Sequence, residues 1–185
     1  MKKPMKPVTH SQTILSELMT PNLANFGGKV HGGSLLSLMD KAAYVCATKH
    51  AGNYCVTVSV DGVDFHNPVE VGEQVSLYAS VNYVGSTSLV VGIKVVAENV
   101  KLGSVRHTNS SFFTMVAMDE NHKPAQVPGL ILETKDKVRR FAEAKFRKQL
   151  KKEKDSRFNE IRNTLIEQHD LSLLANENCE VHWKE

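Results

Sequence analysis

The chain has 185 residues, with 41% hydrophobic and 23% charged residues, a globular composition for one ordinary domain and an appendage. The formal charge of +3 is unevenly spread: residues 133–162 carry twelve Lys and Arg against six Asp and Glu, leaving the remainder slightly acidic. No stretch approaches the roughly 18 apolar residues of a membrane span, no apolar signal core follows the basic start, and a core of this size needs no disulfide or metal staple.

Residues 1–11 read as an N-terminal arm, and a short first strand is expected over 12–19. Residues 20–29 form a loop punctuated by Pro21, Asn22, Asn25, Gly27 and Gly28. From about Gly32 to His50 the spacing predicts a helix. Leu35, Leu36, Leu38, Met39, Ala42, Ala43, Val45, Cys46 and Ala47 make it apolar on nearly every side, which implies burial. Period-two patterns follow. Tyr54, Val56, Val58 and Val60 alternate with polar residues, and the phase slips to Val63 and Phe65 across Gly62, which suggests a β-bulge. Val75 to Tyr83 and Leu89 to Ala97 alternate cleanly around a two-residue Gly85-Ser86 turn. A last strand is expected over 104–118, then a polar loop over 119–128. From Glu133 the composition is that of a charged helix, with Val138, Phe141, Ala142, Lys145 and Phe146 as a narrow apolar stripe. Residues 163–185 give no clear element. One buried helix and consecutive antiparallel strands imply an α+β domain with the helix wrapped by the sheet.

Two features exceed what packing requires. Asp40 lies mid-helix between Leu36 and Ala43. A carboxylate there is costly unless paired or used, and burial would make it a stronger base. The alternative is that Lys41 marks a solvent-facing edge that Asp40 shares. The second feature is Asn25 followed by Gly27-Gly28 and His31-Gly32-Gly33 at the helix start. First-turn amides lack internal partners and point outward, so they suit an oxyanion or a carbonyl; taken alone, the glycines are better explained by a flexible loop and a close helix–sheet packing contact. The histidines show no metal-ligand spacing, so no metal site is expected. Cys46, Cys55 and Cys179 form no Cys-x-x-Cys pair; they fit a reducing cytoplasm, with Cys46 and Cys55 as buried structural thiols. Nucleic-acid binding has only the basic tail in its favour and is not expected.

Asn25, His31-Gly32-Gly33, Met39-Asp40, the run from Thr57 to Phe65, and Val69 with Gly72 together resemble the hotdog-fold acyl-coenzyme A thioesterases. Within them the resemblance is to the cytosolic acyl-CoA thioester hydrolases of the brain acyl-CoA hydrolase type. Gly85 to Ser88, Ser111 to Thr114, Val127-Pro128 and Arg140-Phe141 also match, so it covers about residues 12–150. It implies a single hotdog domain over 12–130 and a basic helical C-terminal extension over 131–185. It implies hydrolysis of fatty acyl-CoA, with Asp40 as general base on water or as direct nucleophile and Asn25 orienting the water or the carbonyl, the two drawn from opposite subunits of a homodimer, and a trimer of such dimers. Gly32 and Gly33 amides would polarise the carbonyl. His31, Gly85, Ser86, Thr87, Ser88, Arg139 and Arg140 would bind coenzyme A, which is part of substrate and product, so no cofactor is called for. Two rivals share the fold: a dehydratase or hydratase using His31 with Asp40, and an acyl-CoA binder without turnover whose tail is an interaction surface.

Overall fold

In a computed structural model of the chain, residues 4–168, 174 and 177–182 are described. The period-two stretches become one antiparallel sheet. Its strands are β2 (Thr13–Leu18), β3 (Tyr54–Val60), β4 (Gln74–Val84), β5 (Ser88–Asn99) and β6 (Ser104–Met118), in the order β2-β4-β5-β6-β3. Two short strands, β1 (Met5–Pro7) and β7 (Gly129–Ile131), pair in parallel beside it. Helix α1 (Gly32–Ala51) packs on one sheet face, which is the expected hotdog arrangement.

Alternation explains the packing. Val75, Leu77, Ala79 and Val81 of β4, Leu89, Val91, Ile93 and Val95 of β5, and Phe113, Met115 and Ala117 of β6 are all buried. They meet Leu35, Leu38, Met39, Ala42, Ala43, Cys46 and Ala47 of α1 in one core. The alanines let the sheet approach the helix closely. Gly52 ends the helix at φ 76°, its N–H bonded to Thr48 C=O at 2.8 Å.

Several expectations change. Helix α1 is not buried on every side: Gly33, Ser37, Asp40, Lys41 and Tyr44 are exposed along one face. The reading that Asp40 shares a solvent edge with Lys41 is therefore the correct one for the single chain. The bulge in β3 falls at Val58 rather than Gly62, because β3 leaves the ladder after Val60. Phe65 does not continue the strand; it folds against the helix start, where a Cβ on Gly32 would sit 3.3 Å from its ring. The β4–β5 connection spans residues 85–87, one more than expected, closed by Gly85 N–H to Ser88 C=O at 2.7 Å. Further register shifts fall in β4 between Val81 and Tyr83 and in the β5–β6 pairing at Val95/Val96. In the stretch read as an arm, Met5–Pro7 is a strand and Val8 is buried in the core.

Helix α2 runs over Lys135–Gln168, beyond the point where the sequence pattern fades. Thr134 starts it, its Oγ1 accepting Lys137 N–H at 3.2 Å. Of the expected stripe, Phe141 packs on Tyr83 with ring centroids 5.1 Å apart, whereas Val138 and Phe146 are exposed. The chain divides into compact units Met1–Ala144 and Lys145–Glu185. In the second, the helix is highly charged and exposes Phe146, Leu150, Phe158 and Ile161.

Candidate active site

The open face of α1 carries the first group. Asp40 is exposed, and Thr57 on the facing edge strand β3 donates its hydroxyl to Asp40 Oδ1 at 2.6 Å. Thr57 Oγ1 also lies 3.2 Å from Met115 Sδ on β6. One carboxylate oxygen is thus oriented by the sheet, and Oδ2 is left for chemistry. Thr57 has the inward phase of Cys55, the signal that singles it out once the helix face is known.

The second group precedes α1. Asn25 Oδ1 accepts the N–H groups of Gly27 at 2.9 Å and Lys29 at 3.2 Å, and Asn25 N–H donates to Lys29 C=O at 2.7 Å. These bonds fix the carboxamide and leave its Nδ2 hydrogens as donors for a ligand. His31 is the N-cap of α1, its Nδ1 accepting Gly33 N–H at 2.9 Å. The Gly33 amide is therefore engaged inside the cap, and of the two glycine amides only that of Gly32 remains for a carbonyl. The same bond directs the proton of a neutral His31 to Nε2. Its ring then has no lone pair left to act as base.

Among the described residues, no hydrogen bond joins Asn25 to Asp40 or Thr57. The expected coenzyme A residues come from three parts of the chain: His31 caps α1, residues 85–88 run from the β4–β5 turn into β5, and Arg139 and Arg140 are on α2. Ser88 begins β5, and the Ser86 and Thr87 carbonyls accept Val127 and Ala117 N–H at 3.0 Å each. Arg139 pairs with Asp136 at 2.5 Å and Glu143 at 2.6 Å, and Arg140 with Asp136 at 2.7 Å. Both arginines line a cavity of about 640 Å³ with Tyr78, Ser80, Asn82 and Phe112. Those strand residues alternate with the core-facing ones, so this cavity lies on the sheet face opposite α1.

Burial pushes the Cys46 thiol up to about 12, which removes it as a nucleophile at neutral pH. Among the described residues, no three His, Cys, Asp or Glu side chains cluster to hold a metal ion. Patterning also missed an ion pair. Arg106 of β6 grips Glu73, 3% exposed, through both terminal guanidinium nitrogens. Burial alone would raise the Glu73 carboxyl. The Arg106 and Glu70 hydrogen bonds, with the charges of Arg106 and Lys29, bring it below the usual carboxylate range.

Known proteins resemble the chain in sequence and in fold. The Thioesterase superfamily profile matches residues 27–104. Protein VdlD of Helicobacter pylori is 46% identical over 141 residues, covering 76% of this chain and 80% of that one. A crystal structure of an apo hexameric acyl-CoA thioesterase superposes with a TM-score of 0.80 at 36% identity, over 82% of this chain and 97% of that one. The Staphylococcus aureus acyl-CoA hydrolase, solved with butyryl coenzyme A and coenzyme A, superposes with a TM-score of 0.78 at 29% identity, over 88% and 99%. It has also been solved with alanine replacing one asparagine, one aspartate and one threonine, in that order, 15 and 17 residues apart. By these likenesses and by its fold, the chain belongs to the hotdog acyl-CoA thioesterases and is an acyl-CoA thioester hydrolase.

Proposed function

We propose that the chain hydrolyses fatty acyl-CoA at a site shared by two copies, with Asp40 and Thr57 from one and Asn25 and the Gly32 amide from the other. The spacing on α1 carries this reading. Asp40 follows Gly32 by eight residues, roughly 12 Å along the helix axis. A donor must come within ~3 Å of the carbonyl oxygen, and the attacking atom within ~3.5 Å of its carbon. One helix cannot bring both ends of that span to a single thioester. Two helices related by a two-fold axis can, each offering Asp40 where the other offers Gly32.

The surface around these groups supports pairing. Tyr44 of α1 and Tyr54, Val58 and Val60 of β3 are exposed beside Asp40 and Thr57. Phe26 and Phe65 are exposed beside Asn25 and Gly32. An edge strand with exposed apolar side chains is a natural docking edge. The asparagine, aspartate and threonine replaced in the Staphylococcus aureus enzyme have the spacing of Asn25, Asp40 and Thr57 here. Three such dimers make the hexamer, the assembly named for the apo thioesterase above. The three free thiols suit the cytoplasm as its compartment.

In this reading the Asn25 carboxamide and the Gly32 amide polarise the thioester carbonyl. Asp40 Oδ2 takes a proton from water as the water oxygen bonds to the carbonyl carbon. The carbon–sulfur bond then breaks, and the proton passes to the departing thiolate, giving fatty acid and coenzyme A. The engaged Nδ1 of His31 disfavours the dehydratase alternative.

The test uses two variants, Asp40→Asn and Asn25→Ala, each expected to lose most of kcat while remaining oligomeric. Mixed under conditions that exchange subunits, they should regain thiol release, because some mixed dimers contain one intact site. No recovery after verified exchange would refute the shared site.

A further inference from the structure

We infer that Arg106 and Glu73 act as a positioning pair for the reaction, holding the Asn25 loop in register with the sheet. The inference rests on the proposed role of Asn25 and extends it to residues outside the site. Arg106 is anchored on β6, and its Nη2 donates both to Glu73 Oε2 at 2.6 Å and to Pro68 C=O at 2.7 Å. Glu73 Oε2 also accepts Glu70 N–H at 2.8 Å. The guanidinium and carboxylate together thus clamp the 68–73 loop at both ends. Gly72 N–H and Glu73 C=O bond to Met19 at 2.7 and 2.8 Å, tying the same loop to the end of β2.

The clamped loop in turn holds the candidate site. Val30 N–H donates to Val69 C=O at 2.9 Å, and Lys29 pairs with Glu70 in an isolated antiparallel bridge. Lys29 Nζ reaches both Glu70 carboxylate oxygens at 2.6 and 2.7 Å. Lys29 N–H and C=O are the same groups that fix the Asn25 side chain and backbone. One residue past Val30, His31 caps α1 and sets the Gly32 amide. Arg106, Glu73, the 68–70 backbone, Lys29 and Asn25 therefore form one continuous bonded route from β6 of the sheet to a carbonyl-polarising group.

A part-buried pair can be explained by stability alone, so the test must separate the two roles. A displacement of about 1 Å at a reacting group costs up to ~100-fold in rate. Glu73→Gln keeps the shape but loses the charge, and its amide donors face the guanidinium. It should lower kcat about tenfold with KM changed less than about twofold, measured as thiol release by the intact oligomer. The deciding readout is the same substitution in the Asn25→Ala background. If the pair works through Asn25, Glu73→Gln there costs less than about twofold. Arg106→Lys retains the positive charge but loses the two-pronged grip, and it supplies the same cycle should Glu73→Gln not fold. Lys29→Met, at an exposed position, breaks only the outer arm and should show a smaller loss of the same kind. Equal fold-losses in both backgrounds, or a fully active Glu73→Gln beside an inactive Asn25→Ala, would overturn the positioning role alone. A fully active Asn25→Ala would remove the catalytic reading of Asn25, and this inference with it.

Discussion

The Thr57–Asp40 contact makes the most direct prediction about rate. Thr57→Val keeps the side-chain shape and replaces the hydroxyl that lies 2.6 Å from Asp40 Oδ1 with a methyl group. A hydrogen bond to a charged group contributes ~1.5–3 kcal/mol. If that bond holds the carboxylate in its reacting orientation, its loss lowers kcat by roughly 10- to 100-fold. KM should move little, because the contact is internal to the protein. Thr57 faces an exposed carboxylate rather than the deep core, so the variant should melt within a few degrees of the parent. Thr57→Ser restores the hydroxyl and should recover most of the rate. The assay is free-thiol release from a saturating acyl-CoA, with a thermal melt and a mass measurement of the assembly on the same samples. Wild-type kcat in Thr57→Val would refute the argument. So would a Thr57→Ser variant as slow as Thr57→Val, since the loss would then follow the methyl group and not the hydrogen bond.

His31→Ala removes the α1 cap and should destabilise by ~1 kcal/mol, a fall in Tm of roughly 2–4 °C. His31→Asn, a good cap, should restore both melting temperature and activity, which a catalytic histidine would not allow. Native protein treated with a thiol reagent near pH 8 should label Cys179 and spare Cys46 and Cys55, which are buried with thiols pushed upward; intact mass should show one adduct per chain before unfolding and three after. The Glu73 carboxyl is held below its ordinary value of 4.5 in the folded chain. Its stabilising effect is therefore complete above about that pH and is lost as pH falls through the lower folded value. Melting temperature should drop on acidification below the ordinary value, and Glu73→Gln should flatten that part of the profile.

The long elements were legible because their periods are long and clean. Val75 to Tyr83 and Leu89 to Ala97 alternate without interruption, and α1 is framed by glycines at both ends. Errors fell where a local pattern has two physical readings. Leu36, Val45 and the alanines made α1 look apolar all round. Alanine packs as well at the edge of a buried stripe as at its centre, so the open Ser37, Asp40, Tyr44 face was hidden. The phase slip at Gly62 was real as a pattern, but Phe65 is apolar because it covers Gly32, not because it continues the ladder. Asn25 and Asp40 stood out as candidates by type and spacing. Thr57, Glu73 and Arg106 were not, since their roles come from pairing across 17 and 33 residues of chain. The Gly33 amide was misassigned because a histidine cap is invisible until the ring is seen to turn back on its own helix.

A helix buried all round would desolvate Asp40. The single chain leaves it in water with one hydroxyl partner. A carboxylate in open water offers a thioester no water-excluded site. Covering the Tyr44, Tyr54, Val58 and Val60 surface with a second copy would remove that water without any change in the fold. Assembly and activity are then one event: dilution below the dimer dissociation constant should abolish turnover while α1 and the sheet remain intact. The rate per chain should rise with concentration along the same curve as the mass of the complex. A dissociated chain that still hydrolyses acyl-CoA at the full rate would show that Asp40 needs no partner.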